Sequence, residues 1–378
     1  MRNVFTIVLV LFTIIVKAQE KYIYQGTVPA TADFLRINID PVTSSMGNLT
    51  VCSGTTPFSS FANPGSVAIS SKGDELSNFA ISYIPLATPI SKDVKMMTFT
   101  ANQWVDDGTY IGINLQYFTL GDVHFFDEQA NEIGFTIPQE YSIGLFYSKS
   151  FSETLNMGLT FKGIYSSLAG KADISGDKLK PAFGVAFDYS ITGVAPTNNN
   201  FISYGLSLNN IGTKMSISNG KKSYLPMSIK LGAGYKFMIG DENYLFTGFE
   251  LGKMLIPSAP LYDLDGNITA GNNPEQGVPQ AIFSSFTDSP YGAKGELQEV
   301  SVSLGAEFAI QNEFFIRAGY NKEANQNGLG SYASFGLGMN KDFGNKRLKF
   351  NLSYASATGE NYSIKNSFKL GVALAIWE

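Results

Sequence analysis

The sequence predicts an all-β chain, a transmembrane antiparallel β-barrel of about fourteen strands preceded by an N-terminal plug. Three observations carry that expectation. From Asn78 onward, apolar residues alternate with small or polar ones at period two, the pattern of strands with one greasy face. Many of these segments exceed the roughly 5–6 residues of a strand in a soluble domain and match the roughly 9–11 that a tilted membrane strand needs. Short turns alternate with long loops, as in outer-membrane barrels.

The N-terminus is of another kind. Arg2 precedes an apolar run over residues 4–16 that only threonines interrupt. Val16-Lys17-Ala18 places a β-branched and a small residue three and one positions before a cut ahead of Gln19. Residues 1–18 therefore read as a cleaved secretory signal peptide, too short to span the ~30 Å hydrocarbon layer comfortably. Cys52 is the single cysteine, so no internal disulfide can form, and it reads as a small buried residue.

Residues 19–76 do not alternate. They carry Pro29, Pro41, Pro57 and Pro64, yet also Phe34, Leu35, Ile37, Ile39, Met46, Phe58 and Phe61. An irregular segment this apolar is not a disordered tail, so it is expected to tuck into the barrel, with a short helix opening after Asn63-Pro64.

The barrel is expected over 77–378. Strands read near 77–84, 95–102, 108–120, 139–149, 153–167, 181–192, 201–210, 225–237, 242–253, 297–309, 313–321, 330–341, 347–357 and 366–377. The last is the clearest: Phe368, Leu370, Val372, Leu374 and Ile376 oppose Lys369, Gly371, Ala373 and Ala375. Met227, Ile229, Leu231, Ala233, Tyr235 and Phe237 likewise oppose Ser228, Lys230, Gly232, Gly234 and Lys236. Charge such as Lys230, Lys236, Glu250 and Glu307 falls on the non-greasy face, which would be the lumen.

Short turns at 150–152, 238–241, 310–312 and 342–346 alternate with longer loops at 121–138, 168–180, 211–224, 254–296, 322–329 and 358–365. The stretch 193–200 is long for the short-turn side. Tyr110, Tyr141, Tyr165 and Tyr189, near strand ends, suit an interfacial aromatic girdle.

No catalytic, cofactor or metal signature is present. The one histidine, His124, stands in a loop with no Gly-x-Ser-x-Gly elbow in the chain. One Cys and one His cannot build a zinc site of such ligands. Asp263-Leu264-Asp265-Gly266-Asn267 resembles part of a calcium loop but lacks the glycine at its sixth position and the terminal glutamate, so an Asp-Gly turn is expected. Asp106, Asp107 and Glu128 fall in turns or loops. A net charge of −5 without clustered Lys or Arg argues against nucleic acid.

Several blocks resemble the PorV (LptO) family of the type IX secretion system, a branch of the FadL-like barrels, with the related PorQ branch second. Phe34-Leu35 with Ser45-Met46-Gly47-Asn48, and Asn63-Pro64-Gly65-Ser66-Val67-Ala68, resemble the family's plug, whose marker residues here are Met46, Gly47, Asn63 and Pro64. Tyr117-Phe118-Thr119-Leu120-Gly121, Asn209-Asn210-Ile211-Gly212 and Tyr224-Leu225-Pro226 are similar to later blocks. Gly252-Lys253-Met254-Leu255-Ile256-Pro257 resembles the exit into the largest external loop. The chain departs from the family at Ile37-Asn38-Ile39-Asp40 and Phe61-Ala62, and its last aromatic, Trp377, is one residue short of the end.

The resemblance implies a non-enzymatic shuttle without a cofactor, anchored in outer-membrane lipid. It would bind the C-terminal signal domains of type IX cargo at a SprA-type translocon and carry them to a PorU-type sortase. The external loop 254–296 would grip these partners through exposed apolar residues: Leu255, Ile256, Pro257, Pro260, Leu261, Tyr262, Ile282, Phe283 and Phe286. The alternative function is a FadL-like transporter of small hydrophobic molecules across the outer membrane, since a barrel alone does not fix what it does.

Overall fold

Fourteen strands close into one antiparallel barrel in the computed structural model. The structure describes residues 26–70, 75–86, 93–106, 108–127, 129–167, 173–174, 177–178, 181–218, 221–323, 330–358 and 366–377. The expected signal peptide 1–18, Glu128 and parts of the loops 168–180, 322–329 and 358–365 lie outside the described residues.

The barrel strands are β1 (Ser77–Pro85), β2 (Lys95–Asp106), β3 (Thr109–Thr119), β4 (Gln139–Ser152), β5 (Leu155–Ser167), β6 (Ala182–Thr197) and β7 (Asn200–Gly212). They continue as β8 (Ser228–Ile239), β9 (Asn243–Met254), β10 (Val300–Ile310), β11 (Phe314–Lys322), β12 (Tyr332–Phe343), β13 (Lys346–Ala357) and β14 (Ser367–Ile376). Each pairs with its neighbours in the chain, and β1 closes on β14, with Ser77 opposite Ile376 and Tyr83 opposite Leu370. Closure leaves no free wall edge, the condition for a sheet to sit in hydrocarbon. Among the described residues, no helix is long and apolar enough to cross a membrane.

Alternation assigns the two faces. On β4, Ile143 and Leu145 are 56% and 63% exposed, while Ser142 and Ser148 point inward and are buried. On β14, Phe368 and Leu370 face out and Lys369 is buried inside. An outer surface of Leu, Ile and Phe suits acyl chains and no aqueous phase. Across β3 to β6, Tyr117, Tyr141, Tyr165 and Phe183 stand opposite one another in register, their ring centroids 5.0–5.9 Å apart, as an aromatic row at the long-loop rim.

Three assignments in the sequence reading need correction. Tyr189, read as near a strand end, stands in the middle of β6 opposite Leu159 and Leu208, away from either rim. Tyr110 is no girdle residue: it points inward, is fully buried, and its hydroxyl donates to the Glu75 carbonyl at 2.7 Å. Met227 does not face lipid: β8 starts one residue later, and Leu225 and Met227 pack into the core beneath the preceding loop.

All six short turns lie on one rim, together with the start of β1 and the end of β14. The seven long connections lie on the other. The long stretch 193–200 disappears as an exception because β6 runs through Pro196 to Thr197. Only Asn198 and Asn199 remain to turn the chain, and Asn198 adopts φ 54°, a conformation asparagine tolerates.

Residues 26–70 contact inward-facing side chains on strands around the whole circumference, which is possible only from within the lumen. A short helix, α1 (Pro41–Ser45), opens with the Asp40 carboxylate accepting from the Val42 N–H at 2.9 Å. It is followed by Met46 and Gly47, which lie against the backbones of β10 and β11. A Cβ on Gly319 would come within 2.1 Å of Gly47 N, and one on Gly305 within 2.3 Å of Met46 O. Gly47 itself has φ +69° and its own Cβ would strike the Tyr320 carbonyl at 2.5 Å, so only glycine fits there.

Further along, the Glu250 carboxylate of β9 accepts from the backbone N–H groups of Thr50, Val51 and Cys52 at 2.9, 2.5 and 2.9 Å. Asn63 is fully buried and donates to the Val51 carbonyl at 3.1 Å. Pro64 begins a 3-10 helix, Pro64–Ser70, that settles on Gly158 of β5, with Gly65 N–H donating to Ser190 Oγ at 2.8 Å. Some charges that face the lumen are ion-paired, as in Lys162–Asp188 at 2.8 Å and Arg317–Glu307, while Lys230 and Lys369 reach hydroxyls of the inner segment, Thr50 at 3.1 Å and Ser44 at 2.5 Å. Between residues 35–62 and the wall a chamber of about 120 Å³ remains, bordered by polar groups that include Arg36, Asn38, Lys230, Asn209, Asn210 and Glu323.

Candidate functional site

With the lumen occupied, the largest excursion at the long-loop rim, residues 255–299 between β9 and β10, is the candidate site. It leaves the wall by turning inward. Leu255 N–H donates to the Met227 carbonyl at 2.8 Å, Val28 N–H to the Pro257 carbonyl at 2.9 Å and Ala259 N–H to the Gly26 carbonyl at 2.8 Å. An antiparallel bridge joins Thr27 to Ser258. This stretch forms a seam with the beginning of the inner segment, and that seam overturns part of the sequence reading. Leu255, Ile256, Pro257 and Pro260 are buried and cannot present a surface. Apolar composition was read as exposure there, whereas the residues close the mouth of the barrel.

Beyond Pro260 the chain rises into a hairpin of two short strands, Leu261–Tyr262 and Ile268–Ala270. Its tip is the Asp263 turn. The Asp263 carboxylate accepts from the N–H groups of Asp265 and Asn267 at 3.0 and 2.8 Å and from the Asn267 amide at 3.2 Å. Those bonds, the ones from Asn267 foremost, hold its carboxyl below the usual carboxylate range. The calcium-loop likeness thus ends in a self-satisfied turn, and no group of His, Cys, Asp and Glu able to hold a metal occurs among the described residues. His124 lies apart in the loop hairpin 123–136, with its Nδ1 2.8 Å from Glu132.

Two helices complete the excursion. The first, α2 (Val278–Ser284), starts at a Gly-Val-Pro step and buries Ala281 against the core, with Ile282 half-buried beside it. The second, α3 (Gly292–Gln298), brings Glu296 and then Glu299 to the root of the loop. Lys253 at the end of β9 reaches Glu296 at 2.9 Å and Glu299 at 2.6 Å. Ser258 Oγ lies 2.8 Å from Asp288 Oδ1 and 2.5 Å from Glu299 Oε1, and Ser289 N–H donates to Glu296 at 2.8 Å. This knot ties both helices to the barrel. Nothing in the sequence marked it, because its members are scattered over 47 positions, from 253 to 299.

The knot leaves an apolar surface above it. Of the expected contact residues, Tyr262, Phe283 and Phe286 are exposed, Phe283 by 78%, while Leu261 and Ile282 are half-buried. Leu264 at the hairpin tip and Leu297 on α3 are exposed too and were not anticipated. A turn read only as Asp-Gly chemistry hides the first, and the second falls at the start of the strand expected over 297–309, whereas the helix runs on to Gln298 and the strand begins at Val300. Five large apolar side chains are thus presented to solvent from one tethered loop.

Residues 17–261 match the sequence model of a family described as type IX secretion system protein PorV. No curated protein matches the chain. Among solved structures, the chain is similar to a "TodX deltaS2S3 mutant monoaromatic hydrocarbon channel", at 10% identity and a TM-score of 0.55, covering 89% of this chain and 98% of that one. It is also similar to the "CymD monoaromatic hydrocarbon channel", at 11% identity and a TM-score of 0.53, covering 90% and 98%. At such identities the likeness speaks for the barrel architecture alone.

Proposed function

The chain belongs to the PorV family and is an outer-membrane component of the type IX secretion system, and from that premise we propose that it is a non-enzymatic adaptor whose loop 255–299 binds cargo. The cargo elements would be the C-terminal signal domains leaving a SprA-type translocon, and delivery would be to a PorU-type sortase, after export by way of a signal peptide cleaved ahead of Gln19. The observation that carries this reading is the contrast between a filled lumen and an apolar external face. Tyr262, Leu264, Phe283, Phe286 and Leu297 offer a non-polar contact surface of the kind that partners cover. The inner segment 26–70 acts in this reading as a plug that keeps the barrel a closed platform.

The second reading, passage of small hydrophobic molecules, borrows what the names of the structural neighbours say of those proteins. It calls for a continuous apolar path, and the space left in this lumen has a mixed border in which Leu35, Ile37, Phe58 and Ile229 are interrupted by Arg36, Lys230 and Glu323. A pull-down from detergent-solubilised outer membrane separates the two. Recovery of cargo with C-terminal signal domains, or of the translocon, is expected. Recovery of the protein alone with small hydrophobic molecules bound would overturn the adaptor reading.

A further inference from the structure

The knot at the root of residues 255–299 contains more acceptors than its hydrogens can serve. Ser258 has one hydroxyl hydrogen, yet its oxygen lies within hydrogen-bond distance of two carboxylate oxygens, Asp288 Oδ1 at 2.8 Å and Glu299 Oε1 at 2.5 Å. An ionised carboxylate only accepts. The second hydrogen must therefore come from one of the two carboxyls. Lys253 indicates which, because its ammonium faces Glu296 and Glu299 at 2.9 and 2.6 Å, so that pair already has its cation. No Lys or Arg lies within ion-pair distance of Asp288 among the described residues. Asp288 is also nearly fully buried, where an uncompensated charge is costly.

We propose that Asp288 carries a proton in the closed loop, donating it to Ser258, which in turn donates to Glu299, and that this shared proton latches residues 255–299 to the barrel rim. As regulation of the surface assigned above, the proposal rests on that reading for its consequence, though the latch itself does not. Among the described residues, Asp288 meets Ser258 from the connecting chain at 3.2 Å (N–H) and 2.8 Å (Oγ) and Ser284 from α2 at 3.3 Å, and it faces the charges of Glu296 from α3 and of Glu299 just after it, the two carboxylates that Lys253 from β9 reaches. Burial pushes the Asp288 carboxyl above its ordinary range against the hydrogen bonds from Ser258, and the neighbouring Glu296 and Glu299 push it the same way. A carboxyl whose closed-state pKa is raised binds more proton closed than open. The latch is therefore fully set below the ordinary carboxylate pKa and is progressively lost as pH rises from there through the raised value. Above it, the Asp288 carboxylate is repelled by the neighbouring Glu296 and Glu299.

Hydrogen exchange on the full protein in detergent micelles reads this directly, once rates are corrected for the intrinsic effect of pH. Protection across 278–299 is expected to fall as pH rises in the wild type while the wall strands stay protected. In D288N the side-chain amide can donate to Ser258 at every pH, so protection is expected to be high and flat. A flat wild-type profile, or a D288N profile that falls like the wild type, overturns the latch. If D288N does not fold, S258A serves instead: without the bridging hydroxyl, 278–299 should be weakly protected at every pH, and retention of the wild-type slope overturns the proposal. An infrared C=O band of a protonated carboxyl that D288N lacks is expected in the wild type on the acid side of the transition in protection, and identical wild-type and D288N spectra in this region at every pH likewise overturn it. None of these readouts uses a partner, so a failed pull-down with a pH-sensitive loop would sink the adaptor reading and leave the latch, and the reverse result would do the opposite.

Discussion

Residues 26–70 and residues 255–299 are both long, irregular stretches held by the same wall, and they differ in what they leave unsatisfied. The inner segment buries Phe34, Met46, Leu49 and Phe58, and hands its backbone N–H groups to Glu250, Ser190 and Ser334. The outer loop fixes its root with a charged knot and a seam against residues 26–28, then leaves Phe283, Phe286, Leu264 and Leu297 in the open. A segment whose backbone donors and apolar side chains find partners on the wall in this way contributes to stability. A loop tethered at its base and apolar at its tip has contacts left to make.

The comparison breaks most completely at Glu250. One buried carboxylate serves three consecutive N–H groups, and E250A strands all of them. Each stranded donor costs roughly 1–3 kcal/mol, so the variant is expected to lose about 4 kcal/mol, allowing for partial relaxation. The measurement is protease susceptibility of residues 48–53 together with the temperature at which the folded barrel converts to the unfolded form on a gel. A variant that melts like the wild type would mean that the inner segment is not anchored through this carboxylate.

A smaller effect is expected where the inner segment meets glycine. G319A places a methyl group against Gly47 N and Met46 C, both backbone atoms at 2.1 Å that cannot swing aside. Overpacking of this kind typically costs about 1–3 kcal/mol. G163A is the control, since a Cβ there meets nothing within 4 Å on the lipid face. Thermal unfolding of the two variants in the same detergent should separate them, and equal melting would remove the steric argument.

These contacts also mark how far the sequence could be read. Alternation made the wall legible strand by strand, because a one-residue slip exchanges the lipid and lumen faces and is not tolerated. Phe368 and Lys369 could be placed on opposite sides without coordinates. Tyr110 could not, because an aromatic near a strand end serves an interface or a core equally well and only the position of Glu75 decides it. The loop was harder still. Leu255 and Ile256 look like a sticky surface in a string of letters, and their burial depends on the chain at Gly26 and Val28, more than two hundred residues away. The exposure of Phe283 and Phe286 matches what the sequence suggests, because two aromatics in a loop stand out. Ser258, Asp288 and Glu299 were missed because a knot of ordinary polar residues has no local signature.

The smallest expected change in stability is at the exposed surface, where the comparison is sharpest. Tyr262→Ser, Phe283→Ser and Phe286→Ser combined remove three exposed side chains outside the buried core. Surface substitutions of this sort usually shift stability by no more than about 0.5 kcal/mol each, so the barrel should migrate as a folded species and 255–260 should remain protected from exchange. Recovery of secretion partners, by contrast, should fall sharply, because exposed aromatics at the centre of an apolar patch supply much of the energy when a partner covers it. The two readouts must move independently. Loss of partner recovery with a destabilised barrel would trace to the seam at Leu255 and Ile256, whereas full recovery from a stable triple variant would remove these residues from the binding surface and shift attention to Leu264 and Leu297.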